Sequence, residues 1–190
     1  MAHVEAPTSG SIILAGVLLK LGGCGLIRFS QVLPLSSFRF YLRFYVLLRV
    51  LIVSLVCLSQ SDFKRLVAYS SVVHIRIVVL GVLGSTSLSH SSVLLVMVLH
   101  GFSSPIIFLL VGIIYSSSRT RLLALLRGYI LLSPLLGFFL ALAFVFNVPT
   151  PPFARFSAEV FLFLGFGFIS SLILLFIFIH RVLSIFFNSY

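Results

Sequence analysis

Acidic side chains are almost missing from this chain. Of its 190 residues only three are Asp or Glu, two are Cys and none is Trp, and charged residues make up 8%. An ordinary soluble domain carries about 25% charged residues. That scarcity excludes one, and with 61% hydrophobic residues the chain reads as an integral membrane protein. Cys24 and Cys57 each lie in an apolar run without CxxC or His/Cys spacing, so they outline neither a metal centre nor a disulfide framework. No secretory signal peptide is expected from the first residues: His3, Glu5 and Pro7 stand where a basic start before a short apolar run belongs. The absent Trp, the 21 Phe and a lysine count limited to Lys20 and Lys64 fit biased codon usage of the organelle-genome kind.

What is present is a series of apolar runs with arginines at their ends. The net charge of +10 does not point to nucleic acid. Basic nucleic-acid binders cluster Lys and Arg on a polar face, whereas most arginines here stand singly where they can snorkel to the membrane interface. The runs predict spans over residues 8–27, closed by Arg28, and 44–58, with Arg49 near enough to its start to snorkel. Residues 29–43 read as an interfacial linker. The polar turn SQSDFKR follows, in which Asp62 caps the next helix and Lys64 and Arg65 act as interfacial anchors. Further spans are expected over 66–83, 93–115, 129–146 and 166–187, with a Ser-rich loop over 84–92 and an extramembrane connection over 116–127. Pro149, Pro151 and Pro152 cannot continue a helix. A helix broken by such backbone between short apolar halves is how transporters build mid-membrane ion sites. The expected fold is all-α, a polytopic transmembrane helix bundle of about six to seven spans. It forms a single domain over residues 1–190, with one Pro-broken helix around residues 147–156. The arginines do not fix its orientation.

Within this apolar frame a few ionisable residues stand out. Lys20 is flanked by Ile12, Leu14, Val17, Leu18 and Leu19 before it and by Leu21, Leu26 and Ile27 after it. Counted from Ser11 it lies roughly 13 Å along a helix, near the midplane of a hydrocarbon core about 30 Å thick. A lysine there is kept only by a buried partner, by water or by a task. Glu5 is terminal and Asp62 sits in a turn, so Glu159 is the carboxylate expected to reach the interior. His74 and His100 fall at a depth similar to Lys20. Three titratable groups at one depth on three helices, with a carboxylate after a broken helix, make a row suited to protons. Burial moves a lysine and a carboxylate towards neutrality, and histidine already titrates near neutral pH. The structural alternatives are histidines bonded to backbone carbonyls and a Lys20–Glu159 ion pair. Arg76, close to mid-span, must pair or face water. His3, His90 and His180 read as peripheral.

Four stretches carry a resemblance: AHVEAPTSGSIILAGVLLKLGGCGLIR, QSDFKRLVAYSSVVH, LHGFSSPIIFLL and VPTPPFARFSAE. In order and spacing they resemble the C-terminal half of the antiporter-like subunit 4 of proton-pumping NADH:ubiquinone oxidoreductase, respiratory complex I, and the likeness covers essentially the whole chain. The multisubunit cation/proton antiporters share a related pattern, but the HVEAP and LLKLGG wording fits subunit 4 better. The resemblance implies that Lys20 is the central lysine passing protons between two half-channels. His74 and His100 match the histidines of a hydrated central axis, and Glu159 matches the glutamate on the second broken helix. It further implies no redox cofactor and no metal in this chain, a multi-pass place in the mitochondrial inner membrane, and the other membrane-arm subunits and lipid as partners. The family's longer bundle leads to the expectation of a split gene, with the N-terminal half on a separate polypeptide docking before Ala2. Arg76 and Cys24 depart from the family's pattern. The alternatives are a cation/proton antiporter subunit and a non-pumping fragment that braces neighbouring subunits.

Overall fold

Backbone N–H and C=O groups in hydrocarbon have no water to bond, so long apolar runs close their hydrogen bonds within the segment and become helices. A computed structural model of the chain describes residues 7–32, 38–84, 86–126, 133–147 and 153–165. Six helices are named in order: α1 Thr8–Val32, α2 Arg39–Leu58, α3 Phe63–Val82, α4 Ser87–Ser118, α5 Pro134–Asn147 and α6 Ala154–Gly165. The first four are long and apolar enough to cross a membrane, and α5 is a shorter apolar helix. No strand occurs among the described residues. One antiparallel bridge, Asp62 with Leu122, ties the α2–α3 turn to the segment after α4. Phe63 N–H bonds Arg121 O at 2.9 Å there, and Leu123 N–H bonds Ser61 O at 3.0 Å. The fold is an all-α membrane bundle, as its apolar runs require.

α3 and α4 form its centre. On one side Val73, Ile77 and Val78 of α3 and Val93, Val96 and Met97 of α4 pack with Leu47 and Val50 of α2 and with Ala158 and Leu162 of α6. On the other, Val67 of α3 and Ile107 and Phe108 of α4 pack with Ala15 of α1 and with Leu140 and Ala143 of α5. Lipid supplies no hydrophobic force between helices, so close approach through small residues takes over. α1 and α4 run antiparallel and interlock in that way. A methyl group on Gly112 would meet Thr8, one on Gly16 would meet Pro105, one on Gly101 would meet Lys20, and one on Gly23 would meet Met97.

A tight approach of three helices is at Gly81, where α3, α4 and α6 converge. A Cβ there would lie 2.3 Å from Val93 Cγ2 and 2.9 Å from Leu162 Cδ1. Gly81→Ala is therefore expected to destabilise the bundle by about 1–3 kcal/mol, measured as the unfolding midpoint in detergent micelles. An unchanged midpoint would mean that the three helices are not packed this closely.

Several boundaries differ from those the sequence predicts, each for a local reason. α2 starts at Arg39, so Arg49 is mid-helix rather than near an end from which it could snorkel. α4 starts at Ser87 rather than after the serine run. Thr86 caps it, accepting from Ser89 N–H at 3.2 Å, and the hydroxyls of Ser89 and Ser92 turn back onto carbonyls three residues earlier at 2.7 Å. Serines satisfied in this way can be buried within a helix. Asp62 occupies the N-cap position of α3 without capping it; its carboxylate pairs with Arg65 at 2.9 Å instead. Lys64, expected at the interface, is buried. The proline-rich break falls on 148–152, between α5 and α6 but outside the described residues, as does the span expected over 166–187.

Candidate functional site

Lys20 is the middle residue of α1, as its position in the apolar run implies. The helix around it carries a feature that the run does not announce. Leu14–Leu18 is a π-helical turn, in which Leu19 N–H bonds back five residues to Leu14 O. Such turns are rare and concentrate at functional sites. Here the Ala15 carbonyl accepts a hydrogen bond from Lys20 Nζ, giving the half-buried ammonium an acceptor on its own helix. On the α4 side Lys20 Cε lies over Gly101, where a Cβ would approach it to 3.3 Å. A glycine next to His100 thus lets the lysine stem lie against the α4 backbone.

His100 is buried, and its ring faces that of His74 on α3, with centroids 5.3 Å apart and planes at 51°. The His100 ring bonds weakly to the Asn147 side chain, and neither of its nitrogens makes a hydrogen bond of full geometry among the described residues. Lys20 and Arg155 both act electrostatically on His100, and Arg155 acts also on Lys20.

Arg155 is the residue that the sequence reading passes over. It and Glu159 are each only 2% exposed, one helical turn apart on α6, with Arg155 Nε 3.9 Å from Glu159 Oε1. Arg155 Nη1 donates to Asn147 Oδ1 on α5, which also accepts from Ser103 Oγ of α4 at 3.1 Å. Asn147 is the last residue of α5 and Arg155 the second of α6. One amide therefore joins the two sides of the proline-rich gap and fastens both to α4. Isolated charges are not tolerated at such burial, whereas paired and hydrogen-bonded ones are. The Arg–Glu spacing of four residues directly after the prolines is the signal that could have found this pair.

The structure thus gathers Lys20, His74 and His100 around the α3–α4 centre, and sets Glu159 beside Arg155 on α6, which packs against the same pair. Lys20 makes no ion pair with Glu159 among the described residues; the carboxylate's cation is Arg155. The arrangement places titratable groups, rather than a nucleophile with a base, at the centre of the bundle. Among the described residues no group of three or more His, Cys, Asp or Glu could hold a metal.

Residues 1–186 match the family described as NADH:quinone oxidoreductase/Mrp antiporter, transmembrane. Among curated proteins, NADH-ubiquinone oxidoreductase chain 4 of Bothriechis lateralis is 40% identical over 156 residues, 81% of this chain and 68% of that protein. The chain 4 protein of Trimeresurus stejnegeri is 39% identical over the same shares. Among solved structures, a chain of the membrane-bound sulfane sulfur reductase, an archaeal respiratory membrane complex, superposes with a TM-score of 0.87 at 19% identity. The match takes in 97% of this chain and 39% of that one, and it speaks for the fold alone.

Proposed function

The chain belongs to the NADH:quinone oxidoreductase/Mrp antiporter transmembrane family, and from that premise we propose that it carries protons within a respiratory NADH:ubiquinone oxidoreductase. In this reading it is the C-terminal part of the subunit 4 component of the membrane arm, in the mitochondrial inner membrane, among other membrane-arm subunits. In the same reading electron transfer from NADH to ubiquinone takes place on other polypeptides. Its relatives named chain 4 support that assignment.

The observation that carries the reading is the facing pair of His74 and His100, with Lys20 lying on the residue next to His100. A proton resting on His100 stands within the field of Lys20 and Arg155. Its energy there depends on whether Lys20 is charged, so protons at the two sites are coupled. Glu159, held by Arg155, forms the end of the row on α6. Buried nitrogens that lack a hydrogen bond of full geometry, such as those of His100, are places where bridging water is retained. Exchange along Lys20, His74, His100 and Glu159 then needs only small shifts of charge and water.

His100→Leu tests this directly. A histidine held only by a weak bond to Asn147 gives up little stability when replaced by an apolar residue of similar size, about 1 kcal/mol. The variant is expected to assemble normally while proton translocation per NADH oxidised falls in membrane vesicles. Unchanged translocation in the assembled variant would remove His100 from the row. The family also embraces cation/proton antiporters, which is the second reading. Proton movement driven by a sodium gradient, without NADH, would favour it.

A further inference from the structure

Arg49 and Arg76 stand outside the proton row, on the seam between α2 and α3. Arg76 Nη1 donates across the seam to the Arg49 carbonyl. The Arg49 guanidinium lies over the Tyr45 ring, 5.2 Å from its centroid, with Nε donating to the Tyr45 hydroxyl at 3.0 Å. Towards the end of the same seam Arg43 donates to Leu83 O from Nε at 3.1 Å and from Nη2 at 2.6 Å. The two helices are therefore antiparallel neighbours in a defined register.

That register fixes the depth of the arginines. Arg76 follows His74 by two residues, roughly 3 Å along the axis, so it shares the level of the histidine pair. Arg49 lies opposite Arg76, roughly 15 Å from the α2 start. Lipid phosphates sit outside a hydrocarbon core about 30 Å thick and are out of reach from this level. Nor does the surface around Arg49 look like the wall of a water channel: Phe44, Leu48, Ile52 and Leu55 are all exposed on α2. Val72 and Val79 flank Arg76, half-buried, on α3.

Among the described residues no carboxylate is left to offer these two cations. Asp62 pairs with Arg65 at the turn, Glu159 pairs with Arg155 in the interior, and Glu5 lies outside the described residues. Charged arginines at this depth persist when they are paired, and arginine is among the residues that anchor interfaces when surrounding contacts exclude water. We propose that the α2–α3 face around Arg49 and Arg76 is an interface for a membrane-spanning helix of another polypeptide, and that this helix carries an Asp or Glu at the level of the two arginines. The pairing is charge-assisted and desolvated, and it sets the partner's height in the membrane as well as its identity. This inference rests on the depth of the arginines and survives a failure of the proton-row reading.

The test is photo-crosslinking in native membranes, with a photoreactive amino acid placed at Leu48 or Ile52 of the otherwise unaltered chain. The expected product joins this chain to a spanning helix of a different polypeptide, with an Asp or Glu within one turn of the crosslinked residue. Products only with phospholipid, with a helix lacking such a carboxylate, or with residues 166–190 of the same chain overturn the proposal. In the same assembly Arg49→Leu combined with Arg76→Leu should lower recovery of that partner about tenfold, because its carboxylate is left buried and unpaired. Replacing the partner's Asp or Glu by Asn or Gln should then restore recovery. Undiminished recovery from the double variant overturns the proposal as well.

Discussion

Lys20→Arg is expected to stop proton translocation as completely as Lys20→Leu, with a fall of about tenfold or more in each. The two substitutions separate what Lys20 does from the charge it carries. Arginine keeps a cation in the middle of α1, but its guanidinium does not release a proton under any condition a protein meets. If Lys20 were a fixed counter-charge, arginine would serve in its place and only leucine would fail. The local geometry makes the comparison fair. The lysine bonds the Ala15 carbonyl exposed by the π-helical turn and rests its stem on Gly101, and either replacement can leave the bundle assembled. The measurement is proton uptake or release per NADH oxidised in sealed vesicles, with the amount of assembled complex determined in parallel. Full activity in the arginine variant would sink the relay role of Lys20.

The largest effect on stability is expected at Arg155. Arg155→Leu leaves Glu159 buried beside an apolar side chain and removes the donor that Asn147 Oδ1 accepts from. Breaking a buried pair on one side costs about 3–5 kcal/mol, while replacing both partners by apolar residues is often neutral or stabilising. Arg155→Leu alone should therefore lower the unfolding midpoint in micelles sharply, and adding Glu159→Leu should recover most of the loss. That recovery would come without proton translocation, since the carboxylate end of the row is gone. A single Arg155→Leu variant as stable as the parent would show that the pair does not bind α5 and α6 together.

The two outcomes concern residues of unequal legibility. Lys20 could be singled out because one charge in a long apolar run is visible in one dimension, and its depth follows from counting residues. The same counting placed His74 and His100 at a common level, and the structure brings their rings together at 5.3 Å, tilted by 51°. Arg155 was harder to see. It lies among prolines and phenylalanines in NVPTPPFARFSAE, a stretch that reads as an interruption, and its burial depends on α4 and α5 closing over it. Likewise the start of α2 at Arg39 and of α4 at Ser87 could not be read from hydropathy. Arginines and serines look like loop residues until a carbonyl, a ring or a neighbouring helix satisfies them.

By itself, then, the sequence determined the helical class, the presence of the first four spans and the level at which the ionisable groups lie. Those properties follow from composition along a single chain, because a backbone in lipid has no alternative to closing its own hydrogen bonds. Only the tertiary structure decided the partners: Lys20 on Gly101 rather than on Glu159, Glu159 with Arg155, Asn147 across the gap, and Arg49 beside Arg76. The physical reason is register. Which residues of two helices meet is set by close contacts such as Gly16 on Pro105, Gly23 on Met97 and Gly81 on Val93. A displacement of one helix past its neighbour by a single turn would leave every hydropathy pattern intact and every pairing changed.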